Sequence, residues 1–280
     1  MSDHALQYRE ISPPGVLADF VRCIWRLHGD PGQDAAGGSP EPIIPDGCAE
    51  IVVNVGDPFI RHAAGEPAER QPLRLVAGQI TRALTLEPSG RIDIWGIRFH
   101  PWCAASFLGV SASELRDSVI SLDAITRSFS DAFDPVADQR AEATAERLLI
   151  DALTRRARNI KRPETHIPRL VAFASQASEA TSVSRLAREA GVSTRRIQTL
   201  FRDQVGLTPK QLLRVTRFQR ALRLARTKPE LSWGHIAHLA GFYDQAHLIH
   251  DSNDIAGCTP KELVRREGAL TEVFLDGGPM

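Results

Sequence analysis

Two stretches near the end of the chain repeat each other and decide the fold of that part. The first reads LAREAGVSTRRIQTLFRDQVGLTPKQLLR over residues 186–214, and the second reads IAHLAGFYDQAHLIHDSNDIAGCTPKELVR over residues 236–265. With one single-residue gap they align closely, and the Thr-Pro-Lys of residues 208–210 falls on that of residues 259–261. A repeat of this length predicts two structural units of one kind.

Each copy has the layout of a helix-turn-helix. In the first copy, Gly191 suits the positive φ that ends a helix and turns the chain. Ser193 can then cap the next helix by accepting a backbone N–H bond. That helix would pack on the one before it through apolar side chains at positions i, i+3 and i+4, which are Ile197, Leu200 and Phe201.

Between the copies, residues 210–227 read KQLLRVTRFQRALRLART. Apolar residues recur at helical spacing, so the segment predicts a long linker helix. Its arginines could contact phosphates or remain solvated on the helix surface; they are Arg214, Arg217, Arg220, Arg223 and Arg226.

The charge distribution points to a polyanionic partner for the C-terminal part alone. The 280-residue chain is neutral overall, but residues 181–268 carry 15 Lys and Arg against 8 Asp and Glu, a net charge of +7. Residues 1–180 carry −5. A basic domain in a neutral chain is typical of nucleic-acid binding.

The remaining composition predicts a cytoplasmic protein. The sequence has no apolar run long enough for a membrane span and no signal-peptide pattern at its start. Its four cysteines lie far apart, as expected for free thiols in a reducing compartment.

The first half predicts a different fold. Residues 51–55 and 92–99 have the β-branched or alternating patterns of strands, whereas residues 136–158 and 167–177 predict helices. We therefore expect an α+β protein, with a β-rich N-terminal domain that has a helical extension and an all-α C-terminal domain. The expected divisions are 1–160 for a sensor or dimerisation domain, 161–181 for a linker region, 182–268 for the double helix-turn-helix and 269–280 for a tail.

A spaced set of residues runs through the C-terminal segment: Leu186, Ala187, 190–193, 200–202, Gly206, Thr208, Pro209, Arg217, Ala221, Leu222, Ile236, Ala237, Gly241, Phe242, Asp244, Gln245, Gly257, Thr259 and Pro260. In these residues the segment closely resembles the DNA-binding domain of the AraC/XylS family of transcriptional regulators. The resemblance implies a sequence-specific regulator that lays two recognition helices into successive major-groove faces, roughly 34 Å apart on B-DNA.

The resemblance also implies which residues contact DNA. In the first recognition helix the base-reading candidates are Arg195, Gln198 and Thr199, and the phosphate candidates are Thr194, Arg196 and Arg202. The linker helix adds Arg220 as a phosphate candidate. In the second recognition helix the corresponding candidates are Gln245, Ala246, Ile249 and His250, with His247 near the backbone.

The second unit departs from the family pattern. It should pack through Leu248 and the residues at 251 and 252, but Asp251 stands where the first copy has Leu200, and Ser252 stands where the family usually has Phe. We expect a looser unit, with negative charge near the phosphates. Alternatively, Ile249 or Ile255 fills the gap.

The N-terminal half resembles a region found in a subset of these regulators, through residues 8–10, 17–18, Trp25, 45–50, 56–58, 78–79, 96–99 and 113–115. By the family's example, it should be a β-rich sensor or dimerisation domain. The implied partners are double-stranded DNA, a small-molecule effector, a second copy of the chain, and RNA polymerase if the protein activates. Trp25, Trp95 and Trp102 either line an effector pocket or belong to the core.

Two other functions are open to the same residues. Asp46, Cys48 and Glu50 could suggest a nucleophilic thiol, but neighbouring carboxylates raise a thiol pKa, so we expect no catalytic residue. His100 and Cys103 have ligand-like spacing, and Cys48 could join them in a metal or thiol-redox sensor. We expect no metal and no cofactor.

Overall fold

The computed structural model describes residues 6–29, 40–63, 65–139, 141–161, 166–175 and 182–266. Its strands are β1 (Gln7–Ile11), β2 (Val21–Gly29), β3 (Glu41–Ile43), β4 (Glu50–Asn54), β5 (Ile60–His62), β6 (Glu69–Arg70), β7 (Arg74–Ala77), β8 (Leu84–Glu87), β9 (Ile92–Phe99) and β10 (Val119–Ser121). Its α-helices are α1 (Ala104–Leu108), α2 (Ala112–Leu115), α3 (Leu122–Ile125), α4 (Arg127–Ser130), α5 (Asp134–Ala137), α6 (Glu142–Ala157), α7 (His166–Ser175), α8 (Val183–Glu189), α9 (Thr194–Gln204), α10 (Pro209–Thr227), α11 (Trp233–Ala240), α12 (Gln245–Ala256) and α13 (Pro260–Arg266). Strands followed by helices confirm the predicted α+β class.

The strands form two antiparallel sheets. The larger has the order β1-β2-β9-β4-β7-β10 and the smaller the order β3-β8-β5-β6. Strand β9 is buried along its whole length because both of its faces are covered. Ile92 and Ile94 pack towards the smaller sheet, whereas alternate residues such as Ile97 pack against α1 and α6. The predicted strands at 51–55 and 92–99 are thus confirmed as β4 and β9.

A close approach inside the larger sheet requires a glycine. Gly96 in β9 pairs with Trp25 in β2, and a Cβ at position 96 would overlap the indole ring. Trp25 is buried with the side chains between the two sheets. Gly96 therefore provides the space that lets this indole lie against the sheet.

The predicted helix over residues 136–158 is wrong in its first part. The structure has two helices there: α5 ends at Ala137, and α6 begins at Glu142. Val136 and Leu149 belong to the same core, so the chain has to turn between them, and tertiary packing overrides the helix propensity of the segment. The predicted helix at 167–177 corresponds to α7.

The C-terminal helices form the two predicted units, α8–α9 and α11–α12, joined by α10. Gly191 and Gly241 provide the turns with left-handed φ values of +63° and +91°. Thr208 and Gln211 form a capping box at the start of α10, which confirms the linker helix. Residues 162–165 and 176–181 of the predicted linker region, residues 267–268 and the predicted tail at 269–280 lie outside the described residues. No described helix is both long and apolar enough to cross a membrane.

Candidate nucleic-acid interface

The first recognition helix, α9, has one buried and one exposed face. Ile197, Leu200 and Phe201 are buried, in one core with Leu186 and Ala187 of α8. The hydroxyl of Ser193 accepts the N–H of Arg196, as expected of an N-cap. The packing register read from the sequence is confirmed, and it turns the polar residues of α9 outwards.

The outer face of α9 carries all six residues predicted to contact DNA there. Five are exposed, namely Thr194, Arg195, Arg196, Gln198 and Arg202. Thr199 is half-buried, and its hydroxyl donates to the Arg195 carbonyl at 3.2 Å. The face therefore combines guanidinium, amide and hydroxyl groups, which match base edges and phosphates.

The second recognition helix, α12, presents a less uniform face. Gln245, Ala246 and His250 are exposed, whereas His247 and Ile249 are half-buried. The ring of His247 lies edge-on to Phe242, with 5.3 Å between centroids, so this residue sits beside the turn of its own unit. The helix begins at an N-cap, Asp244, whose side chain accepts the His247 N–H.

The buried face of α12 differs from the expectation. Leu248, Asp251 and Ser252 are buried as the register predicted. Ser252 is fully buried, and its hydroxyl donates to the Cys258 carbonyl at 2.7 Å. Ile255 lies in the same core. Ile255, one of the two isoleucines of the alternative, therefore packs on the buried side of α12.

Asp251 is buried and paired with a cation, which corrects the expectation of a free negative charge at this position. Its Oδ1 accepts a hydrogen bond from Arg214 Nε at 2.7 Å, and Asp254 Oδ2 accepts one from Arg214 Nη2 at 2.6 Å. We call these three residues the Arg214 clamp. It joins the linker helix α10 to the second recognition helix α12 across 37 residues of sequence.

The linker arginines are therefore not a uniform row of phosphate ligands. Arg214 belongs to the clamp, and the Arg217 guanidinium lies 5.5 Å from the ring centre of Phe242. Burial lowers the pKa of Arg217. Arg220 is half-buried and takes part in contacts within the protein. Its phosphate contact stays a prediction.

The N-terminal domain contacts both helix-turn-helix units. At the first unit, Gly206 packs on the start of α2, where an added Cβ would lie 2.6 Å from the Ala112 carbonyl oxygen. At the second unit, Ile44 is buried in the core of α11 and α12, and the Ala83 N–H donates to the Ile255 carbonyl at 2.6 Å. Gln219 of α10 donates to the Pro45 carbonyl, also at 2.6 Å. These contacts are not predictable from the sequence, because no local pattern distinguishes Ile44 from an ordinary core residue.

A buried group of charges includes Asp46, the residue that follows Pro45. Arg98 Nε is 2.5 Å from Glu50 Oε1 and 3.5 Å from Asp46 Oδ2. Burial raises the pKa of Glu50, with Arg98 acting in the opposite direction. The backbone N–H of Cys48 donates to Asp46 Oδ1 at 2.8 Å, which fixes the turn that follows Pro45.

The residues of the metal or thiol alternative do not form a site. His100 stacks on Trp102 and contacts the Ala18 carbonyl at 3.2 Å, while the Cys103 thiol donates to the Asp19 carbonyl. Burial raises the pKa of the Cys48 and Cys103 thiols, which disfavours the reactive thiolate. Within the described parts of the chain, no group of three or more metal-ligating side chains is present. Trp25 lines a cavity between the sheets, whereas Trp95 belongs to the core and Trp102 packs beside it.

Two families match parts of this chain. Residues 186–266 match a family described as a helix-turn-helix domain, and residues 9–121 match one described as a domain of unknown function (DUF6597). The first match spans both units with α10 and α13, and the second spans nearly all of both sheets.

A curated relative, "Probable thc operon regulatory protein" of Rhodococcus erythropolis, is 29% identical over 136 residues. That alignment covers 43% of this chain and 41% of the relative, which is less than half of either protein.

Similar solved structures include the C-terminal domain of AraT, a response regulator from Geobacillus stearothermophilus, with a TM-score of 0.36, 18% identity and coverage of 38% of this chain and 89% of that one. ToxT from Vibrio cholerae has a TM-score of 0.48, 8% identity and coverage of 82% and 93%. A ToxT structure described as bound to an unsaturated fatty acid has a TM-score of 0.45, 8% identity and coverage of 94% and 95%.

Proposed function

The chain carries a helix-turn-helix domain of the AraC type over residues 186–266, and on that premise we propose that it is a sequence-specific DNA-binding transcriptional regulator. The observation that carries the proposal is the outer face of α9, where exposed Arg195 and Gln198 stand on a helix held in register by a buried inner face. Arginine and glutamine make the bidentate contacts that read guanine and adenine in the major groove.

The two units have different roles in this proposal. Arg195, Gln198 and Thr199 read bases, and Thr194, Arg196 and Arg202 bind phosphates. In the second unit Gln245, Ala246, Ile249 and His250 face the next major-groove segment, with His247 near the backbone. The second face carries fewer hydrogen-bonding groups and no arginine, so the first unit supplies most of the base discrimination. The bound site is asymmetric and spans two groove faces about 10 bp apart.

The N-terminal domain modulates DNA binding through its contacts with both units. Gln219 and Ile44 connect the turn at residues 44–46 to α10 and to the core of the second unit. A change in that turn therefore alters the support of the second recognition helix. An effector, a second copy of the chain or, for an activator, RNA polymerase would act on this arrangement. The buried thiols, with their raised pKa values, favour neither catalysis nor redox sensing.

Selection of bound sites from a random pool of DNA duplexes tests the proposal directly. We expect a two-part asymmetric consensus and a footprint over two successive major-groove faces. The variant Arg195→Ala should lose preference at one position of the consensus, and Asp151→Asn, an exposed change on α6, should lose none. A chain that enriches no sequence, or protects a single groove face per protomer, would contradict it.

A further inference from the structure

A cavity lies between the two sheets, on the side of the larger sheet opposite α1 and α6. Counted together with its opening to solvent, the space inside it is about 790 Å³. The walls are mostly apolar, with Trp25, Leu27, Phe59, Ile80, Leu86 and Ile94 among the lining side chains. An occupant therefore needs an apolar body.

The charged groups that face this cavity have one sign. Among the described residues that line it, Asp46 and Glu50 are the two with charged side chains. The neighbouring cations lie outside the lining: Arg98 is 1% exposed and pairs with Glu50, and Arg22 contacts the Cys48 thiol. The cavity wall therefore offers carboxylates to a ligand and holds its guanidinium groups behind them.

Asp46 is the carboxylate better placed to bind a ligand. Glu50 is held by Arg98 at 2.5 Å, whereas Asp46 is 3.5 Å from the same nitrogen. The Asp46 side chain is also 23% exposed, against 9% for Glu50. A buried ammonium group is tolerated when it is paired with a carboxylate, and the aromatic lining adds favourable cation–π contacts. An organic carboxylate would instead face two negative groups.

The geometry points to an apolar amine as the ligand of this cavity, with its ammonium group bound by Asp46 and its hydrocarbon body between the sheets. Asp46 adjoins Pro45 and Ile44, which contact α10 and the second unit, so the amine would bind at the turn through which the N-terminal domain acts. The regulatory consequence rests on the proposed function, but the binding itself does not.

Calorimetric titration of the full chain with three probes of equal carbon skeleton tests the inference. Phenylbutylamine should bind about ten-fold more tightly than phenylbutanol, because a charge-assisted hydrogen bond exceeds a neutral one by that margin. Phenylbutyrate should bind more weakly than the alcohol. Asp46→Asn should remove the advantage of the amine over the alcohol, and Asp151→Asn should preserve it. Tighter binding of the acid, or equal binding of all three probes, would overturn the inference.

Two further variants keep the test decisive if Asp46→Asn is unstable. Leu86→Trp fills the cavity and should abolish binding of the amine while circular dichroism shows a folded chain. Glu50→Gln should weaken amine binding less than Asp46→Asn, and the opposite order would overturn the assignment to Asp46. Amine binding that leaves DNA affinity unchanged would contradict the proposed modulation and leave this inference standing. A chain that recognises DNA normally but binds no amine would overturn this inference and leave the proposed function standing.

Discussion

The Arg214 clamp allows a quantitative test of how the second unit is stabilised. Replacing Arg214 with alanine removes the guanidinium that is hydrogen-bonded to Asp251, whose side chain is 6% exposed. Removing one partner of a buried ion pair costs about 3–5 kcal/mol of the free energy of unfolding. Because the Arg214 side chain is 29% exposed, water can enter the vacated space, and we expect the lower end of that range, about 3 kcal/mol.

Removing the other partner, Asp251, should lower the free energy of unfolding by less. In Asp251→Ala the Arg214 guanidinium remains partly exposed and keeps its bond to Asp254 at 2.6 Å. A hydrogen bond to a charged group is worth about 1.5–3 kcal/mol, so we expect a loss of about 2 kcal/mol. The double variant should lose less than the sum of the single losses, with an interaction energy of about 1–2 kcal/mol.

Urea titrations of the full chain, followed by far-UV circular dichroism, measure the free energy of unfolding of all four proteins. Arg202→Ala is the matched control. Arg202 lies 3.6 Å from Asp203, and both side chains are about three-fifths exposed, where an ion pair contributes about 0–1 kcal/mol. Strictly additive losses for Arg214 and Asp251 would refute the reasoning.

Three other predictions concern recognition, packing and pH. Arg195→Ala should relax specificity at one base pair at a cost of about 1–3 kcal/mol, whereas Arg220→Ala should weaken all duplexes alike and lower the salt slope by about one unit; affinities on matched and mismatched duplexes measure both. Ser252→Phe should lower the free energy of unfolding by about 1–3 kcal/mol, and with it the melting temperature, because position 252 is fully buried and the added ring has to displace its neighbours. Arg214 lowers the pKa of Asp254 from its ordinary 3.8, so this contribution to stability is present above the unfolded pKa and is lost as the pH falls through the lower folded one. Asp254→Asn should therefore flatten the acid limb of a stability-against-pH curve.

Each of these three predictions has an outcome that would contradict it. An equal loss on all duplexes for Arg195→Ala would remove its role in reading bases. A raised melting temperature for Ser252→Phe would mean that space remains beside Leu248, and the change Ser252→Ala isolates the lost hydrogen bond from the added bulk. For the pH test, an acid limb unchanged by Asp254→Asn would show that its pairing with Arg214 contributes nothing to stability.

The features that the sequence predicted well are local in the chain. The register of α9 follows from apolar residues three and four apart, and the caps at Ser193 and Thr208 follow from hydrogen bonds within one turn. Strands β4 and β9 were predictable because β-branched and alternating residues mark a buried strand. These patterns depend on neighbours within a few positions, so one sequence suffices to read them.

The features that sequence reasoning missed depend on residues far apart in the chain. Asp251 looked like misplaced charge because its partner, Arg214, is 37 residues away on another helix. Ile44 joins the core of a unit that begins some 190 residues later, and no periodicity marks such a contact. The cavity between the sheets likewise requires the sheet order, because its lining residues come from β2, β3, β4, β7, β8, β9 and β10. The site residues on α9 and α12 remain predictions from position and chemistry.

The separate contacts of the N-terminal domain with the two units have a mechanical consequence. Gly206 at the end of α9 rests on α2, while the end of α12 is hydrogen-bonded to Ala83. In this structure both predicted recognition helices are therefore held by the N-terminal domain as well as joined through α10. Once one recognition helix is bound in the major groove, the effective concentration of the other at its own groove depends on how well the spacing of the two helices matches the pitch of the duplex. A small change in the spacing of the two helices would change avidity steeply without altering any side chain that is predicted to contact a base.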